Sequence, residues 1–344
     1  MNCLENSANE TIAASATVLD AVMAIERSES KTVFVLDKQR RLIGSVTDGD
    51  VRRGILRGIA LADSAAAVMN KTPISICDGK LSVGERDLQD ARFVAVTDRN
   101  GLFLGALKTD RYSENLPNTA IVMAGGKGSR LKPYTDSIPK PLVDVGGQPL
   151  IVSLLGQLKK NGFSQVYVSV NHMAQMIMDR LGDGSEFGLK LAYLQEDAPL
   201  GTAGSLSLLP EKPQRPILVT NADLRTSCNF RSLVAFHEEQ KATITVAVRS
   251  YVHEVPFGVI DVQDQEIVGL REKPILESLV SAGIYCLAPE VLARLPKNEY
   301  LDMPDLIREH VKSRSSKTVP FPIHEEWADI GRPEDLEKAR KSNG

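Results

Sequence analysis

From Thr119 onward the chain alternates short apolar runs with stretches of helical period, and this limits the fold more than any other feature of its 344 residues. TAIVMA reads as a buried strand, and PLIVSLLGQLKKNG as an amphipathic helix ending at Gly162. QVYVSV, LKLAYLQE and PILVTNAD read as further strands, with the helix MAQMIMDRLG between the first two. Strands that alternate with helices predict a mostly parallel sheet covered on both faces, because each crossover lays a helix on the sheet. Ligands of such sheets collect beyond the carboxyl ends of the strands, so the residues that follow each strand carry the functional signal.

The first third has a different grammar. VFVLDKQRRLIGSVTDGD (Val33 to Asp50) is echoed by RFVAVTDRNGLFLGALKTD (Arg92 to Asp110), each an apolar strand, a polar turn and a second strand. Ahead of the first copy, Val18, Ala21, Val22 and Ile25 form a helical stripe. AAAVMNKTPISI stands ahead of the second. The polar, proline-containing SENLPNT (Ser113 to Thr119) separates the two grammars and predicts domains over 1–115 and 118–344.

Composition excludes several classes. A formal charge of -3 gives no basic footprint for nucleic acid. No apolar run approaches membrane-spanning length, and the opening MNCLENSANE lacks a signal-peptide layout, so a cytoplasmic protein is expected. Cys3, Cys77, Cys228 and Cys286 are scattered without a CxxC pair and read as reduced thiols. His237, His253, His310 and His324 show no metal-ligand spacing.

Directly after the first strand of the second region comes MAGGKGSRLKPYTDSIPKPL, with Gly125, Gly126 and Gly128 among the cations Lys127, Arg130, Lys132 and Lys140. Glycines let backbone amides approach phosphate oxygens. The loop is not a P-loop, since GxxxxGK[ST] is absent, and it lacks the last glycine of the dinucleotide fingerprint. Arg130 and Lys140 so close together suit a triphosphate.

The full string GGKGSRLKPYTDSIPKPLVDVGGQP fills every fixed position of the sugar-1-phosphate nucleotidylyltransferase signature and so resembles that family. PLGTAGSL, NAD, FGVI, REKP, SAGIY and WADIGRPEDL follow in the family's order. The resemblance implies an α/β, three-layer Rossmann-like nucleotidyltransferase domain that joins a nucleoside triphosphate to a sugar-1-phosphate and releases pyrophosphate. In that family Arg130 would grip the departing phosphates and Lys140 would sit at the α-phosphate. Asp223 and Asp329 would hold Mg²⁺, a hard ion suited to carboxylate oxygens. Read without the resemblance, Asp223 is a turn former and Asp329 a helix-entry residue.

The resemblance also gives nucleotide binding to Ala124, Gly125, Gly126, Gly128, Gln195, Glu196, Gly201 and Thr202, with Gln195 or Glu196 at the base, and sugar contacts to Gly258, Glu272 and Lys273. Asn171 and His172 read as a polar strand end. The central strand closes on Ala222-Asp223, where the family usually has Gly-Asp.

The first third resembles a CBS-domain pair, an α+β regulatory or assembly module. In that family a Thr and an Asp three residues on hold an adenine nucleotide, which Thr47 and Asp50 match. They equally match a helix cap. The second copy offers Lys108 and Arg111 instead, with the short segment LSVGERDLQDA as its helix region. A CBS pair fused to this catalytic domain is similar to bacterial enzymes that activate glucosamine-1-phosphate with GTP in the legionaminic acid pathway. GTP with glucosamine-1-phosphate is therefore the expected substrate pair, with homo-oligomerisation expected through the CBS pair. Mannose- or heptose-1-phosphate guanylyltransfer and uridylyl- or thymidylyltransfer stay open, as does an inactive nucleotide-sensing assembly protein.

Overall fold

The computed structural model describes residues 3–4, 10–28, 31–77, 80–81, 93–108, 115–313 and 316–341. Its contacts divide the chain into two compact units, Met1–Glu114 and Asn115–Gly344.

In the first unit β1 (Cys3–Leu4) and β2 (Thr11–Ala13) precede α1 (Val18–Arg27), then β3 (Thr32–Leu36), β4 (Leu42–Thr47) and α2 (Asp48–Leu56). β5 (Ser75–Cys77), β6 (Lys80–Leu81), β7 (Phe93–Thr97) and β8 (Phe103–Lys108) follow. The sequence echo is a structural echo. β2 pairs parallel with the β3–β4 hairpin and β5 parallel with the β7–β8 hairpin. Both hairpins turn on an aspartate. Asp37 Oδ1 accepts from the amides of Gln39 (2.9 Å) and Arg41 (2.8 Å), and Asp98 Oδ1 accepts from those of Asn100 and Leu102 (both 2.8 Å). Phe34 of one hairpin packs against Phe103 of the other, with centroids 5.4 Å apart, inside a core shared with Phe93, Ala95 and Ala106.

Thr47 and Asp50 form a capping box on α2. Thr47 Oγ1 donates to Asp50 Oδ2 (2.7 Å), the Asp50 amide donates to Thr47 Oγ1 (3.3 Å), and Arg53 pairs with Asp50 Oδ1 (2.7 Å). The helix-cap reading thus describes their geometry here. Arg111 and all but the first residue of LSVGERDLQDA lie outside the described residues, as does the Lys108 side chain.

The second unit begins with β9 (Ala120–Met123), α3 (Leu150–Lys160), β10 (Gln165–Val170), α4 (Ala174–Leu181) and β11 (Lys190–Gln195). It continues through α5 (Gly201–Gly204), β12 (Ile217–Asn221), β13 (Leu224–Thr226), α6 (Phe230–Glu239), β14 (Ile244–Glu254), β15 (Val259–Gln263), β16 (Glu266–Arg271) and β17 (Ile275–Leu287). It closes with α7 (Pro289–Ala293), α8 (Met303–Ser313), β18 (Thr318–Pro322), β19 (Trp327–Asp329) and α9 (Pro333–Lys341).

Seven strands form one sheet in the order β11-β10-β9-β12-β17-β14-β18, and only β17 runs against the rest. The mostly parallel sheet follows from the alternation. Period two in β9 sends Ala120 and Val122 to a core with Leu154, Leu158, Ile177 and Phe230 of α3, α4 and α6. Ile121 faces the opposite core, with Ala203, Val291, Met303 and Leu306 of α5, α7 and α8. The result is three layers. β14 and β17 run on beyond the sheet as a ribbon, and beside them β15 and β16 form a separate two-stranded hairpin. Cys228 and Cys286 are buried, and the described residues contain no disulfide.

His237, on α6, is 2% exposed, and its Nδ1 lies 2.8 Å from Thr245 Oγ1 on β14. Burial, only partly opposed by Glu290, lowers its pKa from 6.5 to about 4. Folding therefore favours the neutral ring, and its contribution to stability is present above 6.5 and is lost as pH falls toward 4. A His237→Asn variant, which keeps a polar atom near Thr245, should lose less stability than the parent over that window. Denaturant midpoints measured from pH 7 to pH 4 test this, and parallel curves would contradict it.

Candidate active site

The site is built at the carboxyl ends of β9, β10, β11 and β12, which the parallel register brings level: Met123 lies opposite both Ser169 and Asn221, and Val170 opposite Gln195. After β9 the chain turns at Ala124, whose amide donates to Ser169 O (2.8 Å). The glycine loop then passes close under its neighbours. A Cβ on Gly125 would stand 2.9 Å from Glu196 Oε1. Gly128 has φ +62°, and a Cβ there would lie 2.9 Å from Lys140 Cβ. Thr135 Oγ1 donates to Gly128 O (2.8 Å) and closes the loop. Gly126 faces open space.

Lys140 lies in the short helical turn Lys140–Leu142 between two prolines and is only 9% exposed. Its ammonium is paired with Asp223 Oδ2 and lies 4.0 Å from Asp329 Oδ1. Asp223 follows β12. Asp329 reaches it because β13 and β19 pair antiparallel with Leu224 opposite Asp329, and the Ile330 amide donates to Asp223 O (3.1 Å). Trp327 Nε1 donates to Ala282 O on β17 (2.9 Å) and anchors β19.

The two carboxylates face one another. Burial and the negative charge of Asp223 raise the Asp329 pKa, against the opposing pull of Lys140 and then Arg130. Arg130, exposed in the turn Ser129–Leu131, is thereby part of the same electrostatic cluster. Asp223 Oδ1 is buried and, among the described residues, has no hydrogen-bond partner. A buried carboxylate oxygen without a donor, beside a second carboxylate, is the chemistry a hard divalent cation satisfies. The donor set therefore fits Mg²⁺, with Asp223 and Asp329 as the residues that would hold it.

Two of the expected site residues, Glu196 and Thr202, make hydrogen bonds within the protein. Glu196 is 9% exposed; its Oε1 accepts from Ser169 Oγ (2.6 Å) and its Oε2 from the Leu200 amide (2.9 Å). Asn171 Nδ2 donates to Glu196 O (3.0 Å). The carboxylate expected at a base edge is thus bonded inward, locking the strand end to the next loop. Thr202 likewise turns inward: its amide and hydroxyl both donate to Asp302 Oδ1, at 3.0 and 3.2 Å. Gln195 is exposed at the end of β11, and Gly201 begins α5.

Gly258, Glu272 and Lys273 stand exposed at the base of the β15–β16 hairpin, where a Cβ on Gly258 would lie 3.1 Å from Glu272 Oε2. Among the described residues, no hydrogen bond or ion pair joins these three to Lys140 or to the two aspartates. Ser169 and Asp302 give no sign in the local sequence, because each acts through a partner on another element.

A family model of nucleotidyl transferases matches residues 119–343. The chain belongs to the nucleotidyl transferase family. Among its relatives is the protein of Oryza sativa subsp. japonica named "Probable mannose-1-phosphate guanylyltransferase 1", 32% identical over 228 residues, which are 63% of this chain and 62% of that protein. A UTP–glucose-1-phosphate uridylyltransferase of Synechocystis is 31% identical over 243 residues, 64% of this chain and 62% of that enzyme. The chain thus spans 62% of the length of these curated relatives. A crystal structure assigned as a glucose-1-phosphate thymidylyltransferase from Bacillus anthracis, in complex with sucrose, is 27% identical with a TM-score of 0.54. The match covers 65% of this chain and 94% of that family member. No helix among the described residues is long and apolar enough to cross a membrane.

Because folding favours a protonated Asp329, that residue adds stability below the ordinary carboxylate range, and the contribution is lost as pH rises through its raised value. In metal-free buffer at pH 7.5, Asp329→Asn should therefore raise the thermal midpoint, and the gain should shrink as pH falls toward 4. A variant less stable than the parent at pH 7.5 would refute the repulsion between the aspartates.

Proposed function

We propose that this chain is a Mg²⁺-dependent enzyme that transfers a nucleotidyl group from a nucleoside triphosphate to a sugar-1-phosphate. One observation carries the reading: Lys140, Asp223 and Asp329 converge at the carboxyl end of the sheet, within the reach of Arg130's charge and beside the glycine loop. A sugar-phosphate oxygen attacks the α-phosphorus, the bond from that phosphorus to the bridging oxygen breaks, and pyrophosphate leaves with the electron pair. Both reactants are anionic, so the barrier is largely repulsion and alignment.

Lys140 supplies a positive charge at the α-phosphate, held in place by its proline neighbours. Arg130, exposed and forked, grips the leaving phosphates. When bound at Asp223 and Asp329, Mg²⁺ supplies charge neutralisation across the phosphates. The backbone of Ala124, Gly125, Gly126 and Gly128 lies along the nucleotide, with Gln195 and the Gly201 turn toward the base. Gly258, Glu272 and Lys273 are assigned to the sugar.

GTP is the favoured donor, supported by the guanylyltransferase names among the relatives. The mannose-1-phosphate in those names widens the acceptor from glucosamine-1-phosphate to hexose-1-phosphates as a class, with a place in legionaminic acid synthesis as the narrow reading. The first unit, with its paired strand–hairpin repeats, is assigned as a CBS-type regulatory or assembly module that can pair two copies of the chain. An adenine nucleotide there would meet Thr47 and Asp50 already bonded to each other.

Pyrophosphate release with Mg²⁺ should be seen with GTP and at least one of glucosamine-, N-acetylglucosamine-, mannose-, glucose- and heptose-phosphate, against CTP, UTP, ATP and dTTP as alternatives. Lys140→Met should lower turnover on the order of 100-fold, the loss typical of removing one preorganised charge donor. A folded protein silent across the whole grid would replace this reading with that of a nucleotide-sensing assembly protein.

A further inference from the structure

α5 has only four residues, too few to hold its own shape, and it is held by a strap from far along the chain. The strap is the segment 298–303, which leads into α8. Its Leu301 amide donates to Leu200 O, and Leu301 O accepts from the amides of Ala203 and Gly204, all at 2.9 Å. Two glycines permit the approach. Gly201 has φ +75°, and a Cβ on it would lie 2.6 Å from Leu301 O; one on Gly204 would lie 2.3 Å from Glu299 O.

Side chains complete the strap in a reciprocal way. Asp302 directly precedes α8, where an aspartate ordinarily caps its own helix. Here its Oδ1 takes both the amide and the hydroxyl of Thr202, while Thr202 Oγ1 accepts the Met303 amide (2.8 Å). Each helix start is thus capped by a residue of the other. Tyr300 donates to Asp302 Oδ2 (2.6 Å) and uses the second oxygen. Although burial pushes the Asp302 carboxyl up, the hydrogen bonds from Tyr300 and Thr202 together hold it below the ordinary carboxylate value, so it is an anion at neutral pH.

On the other side of the same turn, Glu196 takes the Leu200 amide (2.9 Å). Two carboxylates therefore grip alternate amides, at Leu200 and Thr202, with Gly201 at positive φ between them, a conformation glycine adopts without strain. That is a means of fixing a short backbone segment in one conformation.

We propose that Asp302 is a positioning residue for nucleotide binding: through Thr202 it sets the Leu200–Gly204 backbone against which the base of the triphosphate lies. The inference rests on the nucleotide site proposed above. Asp302 touches neither substrate, so its loss acts on nucleotide affinity and leaves the sugar-phosphate site alone.

The test uses the full chain with Mg²⁺ and GTP. GTP affinity is measured by calorimetry, and the Michaelis constants for GTP and for the sugar-1-phosphate are measured separately. Asp302→Ala should weaken GTP binding and raise its KM about tenfold, the effect of losing a charge-assisted hydrogen bond. The sugar-phosphate KM should hold within about twofold, and Asp302→Asn, which retains an acceptor for Thr202, should recover most of the loss. Tyr300→Phe removes one hydroxyl from an exposed ring and is the variant to use should Asp302→Ala fail to fold; a GTP KM raised about threefold is expected. Unchanged GTP affinity in folded variants, or an equal rise in both KM values, would overturn the proposal and leave Asp302 a structural staple. A parent protein that binds no nucleotide would overturn the site reading itself.

Discussion

The pairing of Lys140 with Asp223 is the contact on which the rest of the site depends. It joins the proline-bracketed turn after the glycine loop to the end of β12, and it does so with a lysine that is only 9% exposed. A buried ammonium needs a partner, because the loss of hydration is not recovered otherwise. Asp223 is that partner, but it gives only one oxygen, and the other is buried without a donor among the described residues. Asp329, facing both, has its proton held more tightly by burial and by Asp223. The cluster carries more negative charge than Lys140 alone can balance. That imbalance is what a divalent cation would correct if Asp223 and Asp329 held one, and it would leave the lysine to pair with a phosphate.

Much of this was legible in the sequence where the signal is contiguous. Arg130, Lys140 and the three glycines fall in one uninterrupted string, and the β–α alternation after Thr119 led directly to the three-layer sheet. Asp329 was reachable only by resemblance. Its approach to Asp223 depends on the register of β13 with β19, and no local pattern encodes which strand a segment will meet.

Glu196 and Thr202 show a different limit. Both are polar residues just past a strand or at a helix start, where ligands bind, and both make hydrogen bonds within the protein. Their partners lie at Ser169, Leu200 and Asp302. Sequence position says that a side chain is near the site; which way it faces is decided by whichever buried group most needs a hydrogen bond. The same reasoning settles the geometry of Thr47 and Asp50. Thr, then Asp three residues on, at a strand-to-helix junction is as good a capping pattern as a ligand pattern, and the helix start supplies amides that must be bonded in any case.

The glycine loop looks slack in sequence and is tight in the structure. Gly125 is bare because the Glu196 carboxylate occupies the space its Cβ would take, and that carboxylate is itself fixed by Ser169 and Leu200. Gly128 is bare because Lys140 Cβ lies against it, and Lys140 is fixed by Asp223. The loop is therefore held by the side chains at the two ends of the proposed site, Glu196 at the end proposed for the base and Lys140 at the end proposed for the phosphates. A loop fastened at both ends before substrate arrives has little left to reorganise when charge shifts between phosphates, which is the condition for electrostatic stabilisation to be effective. Only Gly126, which faces open space, is left without such a contact, and it sits between the two fastenings where a phosphate chain would lie.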